Sequence, residues 1–95
     1  MHTAVMVADG LGGWAGPATL YRIDWPINGK DHLLVFHQPA MYGQPGQLVV
    51  LLSDENARVK DTRPQPGSHT TDDPNHHLAL QLAGGYRIVE PEAAA

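Results

Sequence analysis

Residues 73–90, D-P-N-H-H-L-A-L-Q-L-A-G-G-Y-R-I-V-E, carry a helix with its start and stop signals followed by a strand, and they constrain the fold more than any other part of the chain. Asp73 is placed to cap the free N–H groups of a first turn, and Pro74 suits the first helical position, where no N–H partner is lost. Gly84 and Gly85 suit the left-handed conformation that ends a helix. Leu78, Ala79, Leu80, Leu82 and Ala83 form a wide apolar arc, with His76 at its edge and His77 and Gln81 opposite. A helix of about ten residues is marginal alone in water, so this one requires a surface on which to bury that arc. Tyr86 to Glu90 then takes up a β-type pattern, so the segment closes a small α+β domain.

The rest of the chain supplies the sheet. Thr3 to Ala8 is a short run rich in Val and Ala that ends at Asp9-Gly10, a strand running into a turn. Residues 10–17, G-L-G-G-W-A-G-P, hold too much glycine for a regular element and are expected to form a loop. Thr19, Tyr21, Ile23 and Trp25 alternate with Leu20, Arg22 and Asp24, the clearest period-two pattern present. Pro26-Ile27-Asn28-Gly29 follows, and Asn-Gly signals a tight hairpin because both residues tolerate positive φ. Leu33 to Phe36 is apolar without alternation, which predicts burial on both faces inside the sheet. Residues 39–46 read as a second loop, Leu48 to Leu52 as another buried strand, and Arg58-Val59-Lys60 as the return strand of a second hairpin. Residues 62–72 have no apolar anchor and two prolines, so an exposed connection is expected there; residues 91–95 read as a flexible tail. The sequence therefore predicts one domain over residues 1–95, with a mainly antiparallel sheet of four to six strands. One helix packs on a face, and a C-terminal strand follows it.

Composition narrows the function classes. The chain of 95 residues has no cysteine, so neither a disulfide framework nor a zinc site built on thiolates is available. A formal charge of −4 with only six Lys and Arg argues against a surface that tracks nucleic-acid phosphates. No run approaches the roughly 20 apolar residues of a membrane helix, and the start lacks a basic leader with an apolar core. The expectation is a cytoplasmic protein with no membrane or nucleic-acid partner and no cofactor.

Candidate chemistry centres on histidine. His69, Asp72, Asp73, His76 and His77 crowd together, and imidazole with carboxylate is the ligand set of zinc, nickel and non-haem iron. Adjacent His76 and His77 nevertheless point about 100° apart on a helix, whereas helical metal pairs sit at i and i+4. Ser68, His69 and Asp72 share a proline-containing segment, a poor scaffold for a nucleophilic triad. Asp24 and Asp31 could pair for acid–base work, but turns collect Asp for local hydrogen bonding. The glycines of residues 10–16 precede a period-two strand instead of opening a helix, so they do not form a phosphate loop. Trp14, Met41 and Tyr42 lie in segments whose backbone sits poorly in a core, and aromatic residues and methionine are enriched in binding surfaces. These three are the candidate partner-binding residues.

Three stretches carry a resemblance: G-W-A-G-P-A-T-L-Y-R-I-D-W-P (residues 13–26), L-S-D-E-N-A-R-V-K-D (residues 52–61) and P-G-S-H-T-T-D-D-P-N-H-H-L-A-L-Q-L-A-G-G-Y-R-I-V (residues 66–89). In that order they resemble small proteins of unknown function encoded by actinobacteria and their phages, of the mycobacteriophage kind. Ala57 stands where the family's turn often has Gly, and no acidic residue follows His76-His77-Leu78. The resemblance implies a phage-type accessory protein in the cytoplasm of a bacterial host, without implying a reaction. The expected function is non-catalytic binding of a host or phage protein, or of a second copy of the chain, through residues 10–17 and 39–46. The alternatives are a small metal-dependent or histidine-based enzyme using His69, Asp73, His76 and His77, and a structural homodimer formed by sheet-edge pairing.

Overall fold

The computed structural model describes residues 2–11, 17–40, 43, 46–55 and 69–90. Six strands and one helix follow in the order β1 (His2–Leu11), β2 (Ala18–Ile27), β3 (Lys30–Gln38), β4 (Gln47–Ser53), β5 (His69–Thr71), α1 (His76–Gly84) and β6 (Tyr86–Val89). They form a single sheet of spatial order β5-β4-β3-β2-β1-β6, antiparallel throughout except where β6 runs parallel beside β1. The α+β architecture, the helix on the sheet and the returning last strand are as the sequence predicts.

The first hairpin forms where Asn28-Gly29 places it. Asn28 has φ of 50° and Gly29 of 78°, and Ile27 pairs with Lys30 across a two-residue turn of the type that matches strand twist. β3 lies inside the sheet and is buried on both faces. Leu33 and Val35 join the helix-side core with Tyr21, Ile23, Leu48, Val50, Ala79, Leu80 and Tyr86. Leu34 and Phe36 join a second cluster on the opposite face with Ala18, Leu20 and Val49.

β1 crosses from one cluster to the other. Ala4 belongs to the helix-side core, whereas Ala8, four residues on, packs with Leu20 in the second cluster. An unbroken period of two would leave both on one face, but the register shifts between Met6 and Ala8, and a one-residue bulge exchanges the faces. A second shift between Ala8 and Leu11 spans Gly10, whose φ of 65° accommodates it. Gly10 and Leu11 consequently belong to the strand, against the loop expected over residues 10–17, of which residues 12–16 lie outside the described residues.

The helix differs from expectation at both ends and along its face. Its N-cap is Asn75, whose side chain accepts from the N–H groups of His77 and Leu78; Asp73 instead accepts from Asn75 N–H, and Thr71 Oγ1 from Asp73 N–H. Each polar side chain thus holds the backbone two residues on, which delays the first helical turn. At the other end the left-handed residue is Gly85 alone, with its N–H on the Gln81 carbonyl at 2.7 Å. Ala79 and Leu80 are buried and His76 and Ala83 half-buried, together the i, i+3, i+4, i+7 set, while Leu82 is 58 % exposed. Leu82 stands about 200° around the helix from Leu80, so a single sheet cannot bury both.

His69–Thr71 is a strand where a loop is expected over residues 62–72: it pairs with β4, Val50 opposite His69 and Leu48 opposite Thr71, while His69 and Thr70 are exposed as expected. Main-chain hydrogen bonds to an open edge hold this strand, and those leave no hydrophobic pattern in the sequence. Residues 62–68, the expected Arg58–Lys60 strand and the tail over 91–95 lie outside the described residues. Among the described residues no helix is long and apolar enough to cross a membrane.

Candidate functional site

Trp14, Met41 and Tyr42, the residues the sequence nominates for partner contact, lie outside the described residues, as does Ser68. The histidine-rich segment is described, and its members are engaged separately. His69 is on β5 and faces a cavity beneath the last turn of α1. Asp72 Oδ1 accepts from Gln47 Nε2 at 3.5 Å, and Asp73 Oδ1 accepts from Asn75 N–H at 3.0 Å. His76 turns inward to Tyr21, and His77 is exposed beside β6. Among the described residues no three His, Asp or Glu side chains are grouped to hold a metal ion. Asp31 binds His32 Nδ1 at 2.7 Å, and Asp24 accepts from Thr3 N–H and Thr3 Oγ1, so this carboxylate pair is divided between two local tasks.

Two arrangements emerge at opposite ends of the helix. At its N-terminus, Tyr21 on β2 is 5 % exposed and its hydroxyl lies 2.8 Å from His76 Nδ1, with the rings edge to face. Close by, Asp9 Oδ1 accepts from Thr19 Oγ1 at 2.8 Å and from Gly10 N–H at 2.9 Å. Burial lowers the His76 pKa from its ordinary value, an effect Asp9 opposes and His77 assists. Burial raises that of Tyr21, and the Asp9 charge adds to it. The Thr19 hydroxyl holds the Asp9 carboxyl below the usual range, aided by Gly10 N–H. Both shifts favour the neutral forms of Tyr21 and His76, whose hydroxyl and Nδ1 share one hydrogen bond. A phenol so enclosed does not reach a substrate; the contact satisfies a buried hydroxyl, which would be costly to leave unpaired.

At the C-terminal end of α1 the sheet runs on past the helix. Nine helical residues span about 13.5 Å, whereas ten strand residues span about 33 Å, so part of the helix-side face stays uncovered. Trp25 stands there, 61 % exposed although it continues the row of Tyr21 and Ile23. Its indole stacks on the His2 ring at 5.1 Å, and His2 in turn meets Tyr86 at 5.9 Å. The Tyr86 hydroxyl donates to the Trp25 carbonyl, fixing the backbone beneath the indole.

No family model, curated protein or solved structure matches this chain.

Between the sheet and the last helical turn lies a cavity of about 200 Å³. Ile27, Leu33, Val50, Leu52 and Ala83 line it together with Asn28 and His69. Ala83 is the helix residue that lines it. A second concavity of about 340 Å³, lined by His77, Gln81, Gly85, Tyr86 and Arg87, flanks β6 at the sheet edge. Sequence reasoning missed Trp25 as a surface residue because its strand pattern assigns it to the core side. It also missed the contact of His2 with Trp25, which depends on the β1–β2 register. The signal available was the shortness of the helix relative to the strands.

Proposed function

We propose that the chain is a non-catalytic protein-binding module, a phage-type accessory protein working in a bacterial cytoplasm, and that the open end of its helix-side sheet face contributes to the docking surface. The observation that carries this reading is Trp25: a large aromatic side chain, mostly exposed, held by a ring stack on one side and by a clamped backbone beneath. Pre-ordered aromatic anchors next to an apolar recess are the usual centres of binding energy in protein interfaces, because little side-chain freedom remains to be lost on docking. The apolar cavity lined by Ile27, two residues along the same strand, supplies the recess. Trp14, Met41 and Tyr42 remain proposed contacts in their own right.

The test is affinity capture from an actinobacterial host lysate with three proteins: wild type, Trp25→Ala, and the triple variant Trp14→Ala, Met41→Ala, Tyr42→Ala. Circular dichroism and unfolding midpoint establish that each variant keeps its fold. Loss of the same captured protein with Trp25→Ala supports the surface. Capture equal to wild type by Trp25→Ala removes the sheet-end surface from the proposal, and equal capture by the triple variant removes the loops.

A second reading, self-association through a sheet edge, is favoured by the position of β6. It is the last strand of the order, and in a parallel pairing alternate residues direct both N–H and C=O away from the neighbouring strand. Light scattering across a hundredfold range of concentration decides it: a constant monomer mass rejects the homodimer.

A further inference from the structure

We propose that the cavity between the sheet and the last turn of α1 is a binding site for a small neutral molecule, a single ring carrying one hydrogen-bonding group, of the phenol class.

The strand register builds the site. Leu33 stands opposite Leu52 across β3 and β4, and Val50 stands opposite His69 across β4 and β5, all on the helix-side face of the sheet. Ile27, at the end of β2, and Ala83, in the last turn of α1, complete the apolar walls. Leu33 and Val50 are 1 % and 2 % exposed, so water barely reaches the floor.

Size and chemistry select the occupant. A cavity of about 150 Å³ lined by Leu, Ile and Phe holds benzene, and this one, at about 200 Å³, has room for one ring with one or two small substituents. Drug-sized ligands take roughly 300–1,000 Å³, more than is present. Apolar walls offer water few hydrogen bonds, so a hydrophobic ring gains by displacing it. Among the described residues no Asp, Glu, Lys or Arg lines the space, and a charged ligand would be left unpaired there. Two polar side chains do line it, Asn28 in the hairpin turn and His69 on β5, and neither makes a side-chain hydrogen bond among the described residues. Each offers a donor and an acceptor to one polar group on the ring. No protein partner is needed for this, so failure of capture through Trp25 leaves the site standing.

Titration of the purified protein with p-cresol and with toluene, followed by methyl NMR shifts, tests the site. p-Cresol is expected to bind saturably with a Kd of about 1 mM or below, the affinity that about eight non-hydrogen atoms supply. The methyl groups of Leu33, Val50, Leu52 and Ala83 should shift, while those of Leu20 and Val49 on the opposite face stay still. Two variants fill the space from different walls, Ala83→Leu from the helix and Leu52→Phe from β4. Whichever keeps the wild-type circular dichroism should bind p-cresol at least about tenfold more weakly, because its added atoms occupy the ring's place. Leu82→Ala, on the exposed side of the helix, should bind as wild type. Asn28→Gly, which keeps the positive φ of the turn, combined with His69→Leu removes both polar side chains. That protein should lose about threefold or more in p-cresol affinity, the worth of one hydrogen bond, and less than about twofold in toluene affinity. No saturable shift up to about 10 mM p-cresol, or wild-type affinity in the filled variants, overturns the site. An equal loss for p-cresol and toluene in the polar variant overturns the hydrogen-bonding group. N-acetyltyrosinamide carries the same ring on a peptide backbone, and binding as tight as that of p-cresol would assign the space to a partner's tyrosine and overturn the free ligand.

Discussion

A buried side chain here is judged by what its polar atoms meet, and the two tyrosines of the helix-side core show it. The Tyr21 hydroxyl shares a hydrogen bond with His76 Nδ1 and the Tyr86 hydroxyl donates to the Trp25 carbonyl, so each phenol reaches the core with its polar end satisfied. Tyr86 also fixes the identity of Gly84. A Cβ at position 84 would stand 2.5 Å from Tyr86 Cε2 and 3.3 Å from Ile27 Cδ1. Replacing a helical Gly by Ala ordinarily stabilises by about 1 kcal/mol, but the Tyr86 ring is buried and tied by its hydroxyl, so it cannot yield. Overpacking of this kind costs about 1–3 kcal/mol, and the clash wins. Gly84→Ala should lower the unfolding free energy by about 1 kcal/mol, measured by urea denaturation. A stabilised Gly84→Ala protein would show that the ring moves freely.

At the scale of elements, the helix and the first hairpin depend on few residues. Asn75 accepts two of the helix's free N–H groups, so Asn75→Ala should cost about 1 kcal/mol, with the helix amides losing protection before those of β3. Asn75→Asp, which preserves the acceptor, should restore most of it. In the hairpin, Gly29 at φ of 78° lies where a side chain costs roughly 1–2 kcal/mol, and a β-branched one more. Gly29→Val should therefore destabilise by about 2 kcal/mol, whereas Gly29→Asn, which tolerates the left-handed region, should cost much less. The β1 bulges have an equally local effect with a wider reach, since they let one strand serve both cores and carry Asp9 to the helix N-terminus.

On the scale of the whole molecule, acid should weaken the fold in two stages. The first belongs to His76, whose depressed pKa makes its contribution present above about pH 6.5 and lost as pH falls through the folded value. The second belongs to Asp9, Asp24 and Asp31, held below their ordinary 3.8 by the Thr19 hydroxyl, the Thr3 N–H and the His32 ring respectively. Their contribution is present above about pH 3.8 and disappears as pH falls through the lowered values. Urea midpoints measured from pH 8 to pH 2.5 should show both declines, and His76→Gln should remove the first alone. Much of this architecture was legible in the sequence. Asn28-Gly29 demanded its hairpin, Leu33 to Phe36 announced a doubly buried strand, and the glycines after Ala83 stopped the helix, because each rests on local backbone preference or on a period of apolar residues. The sequence by itself therefore determined that a helix would lie on a mainly antiparallel sheet and that a last strand would return to it. Only the tertiary structure decided the rest: that Asn75 caps the helix in place of Asp73, that His69–Thr71 extends the sheet, that Tyr21 meets His76 and that Trp25 stands in the open. These outcomes depend on register, bulge position and the length of one element against another. They are set by long-range pairing and by the competition of equivalent polar groups for the same N–H donors, which no local pattern records.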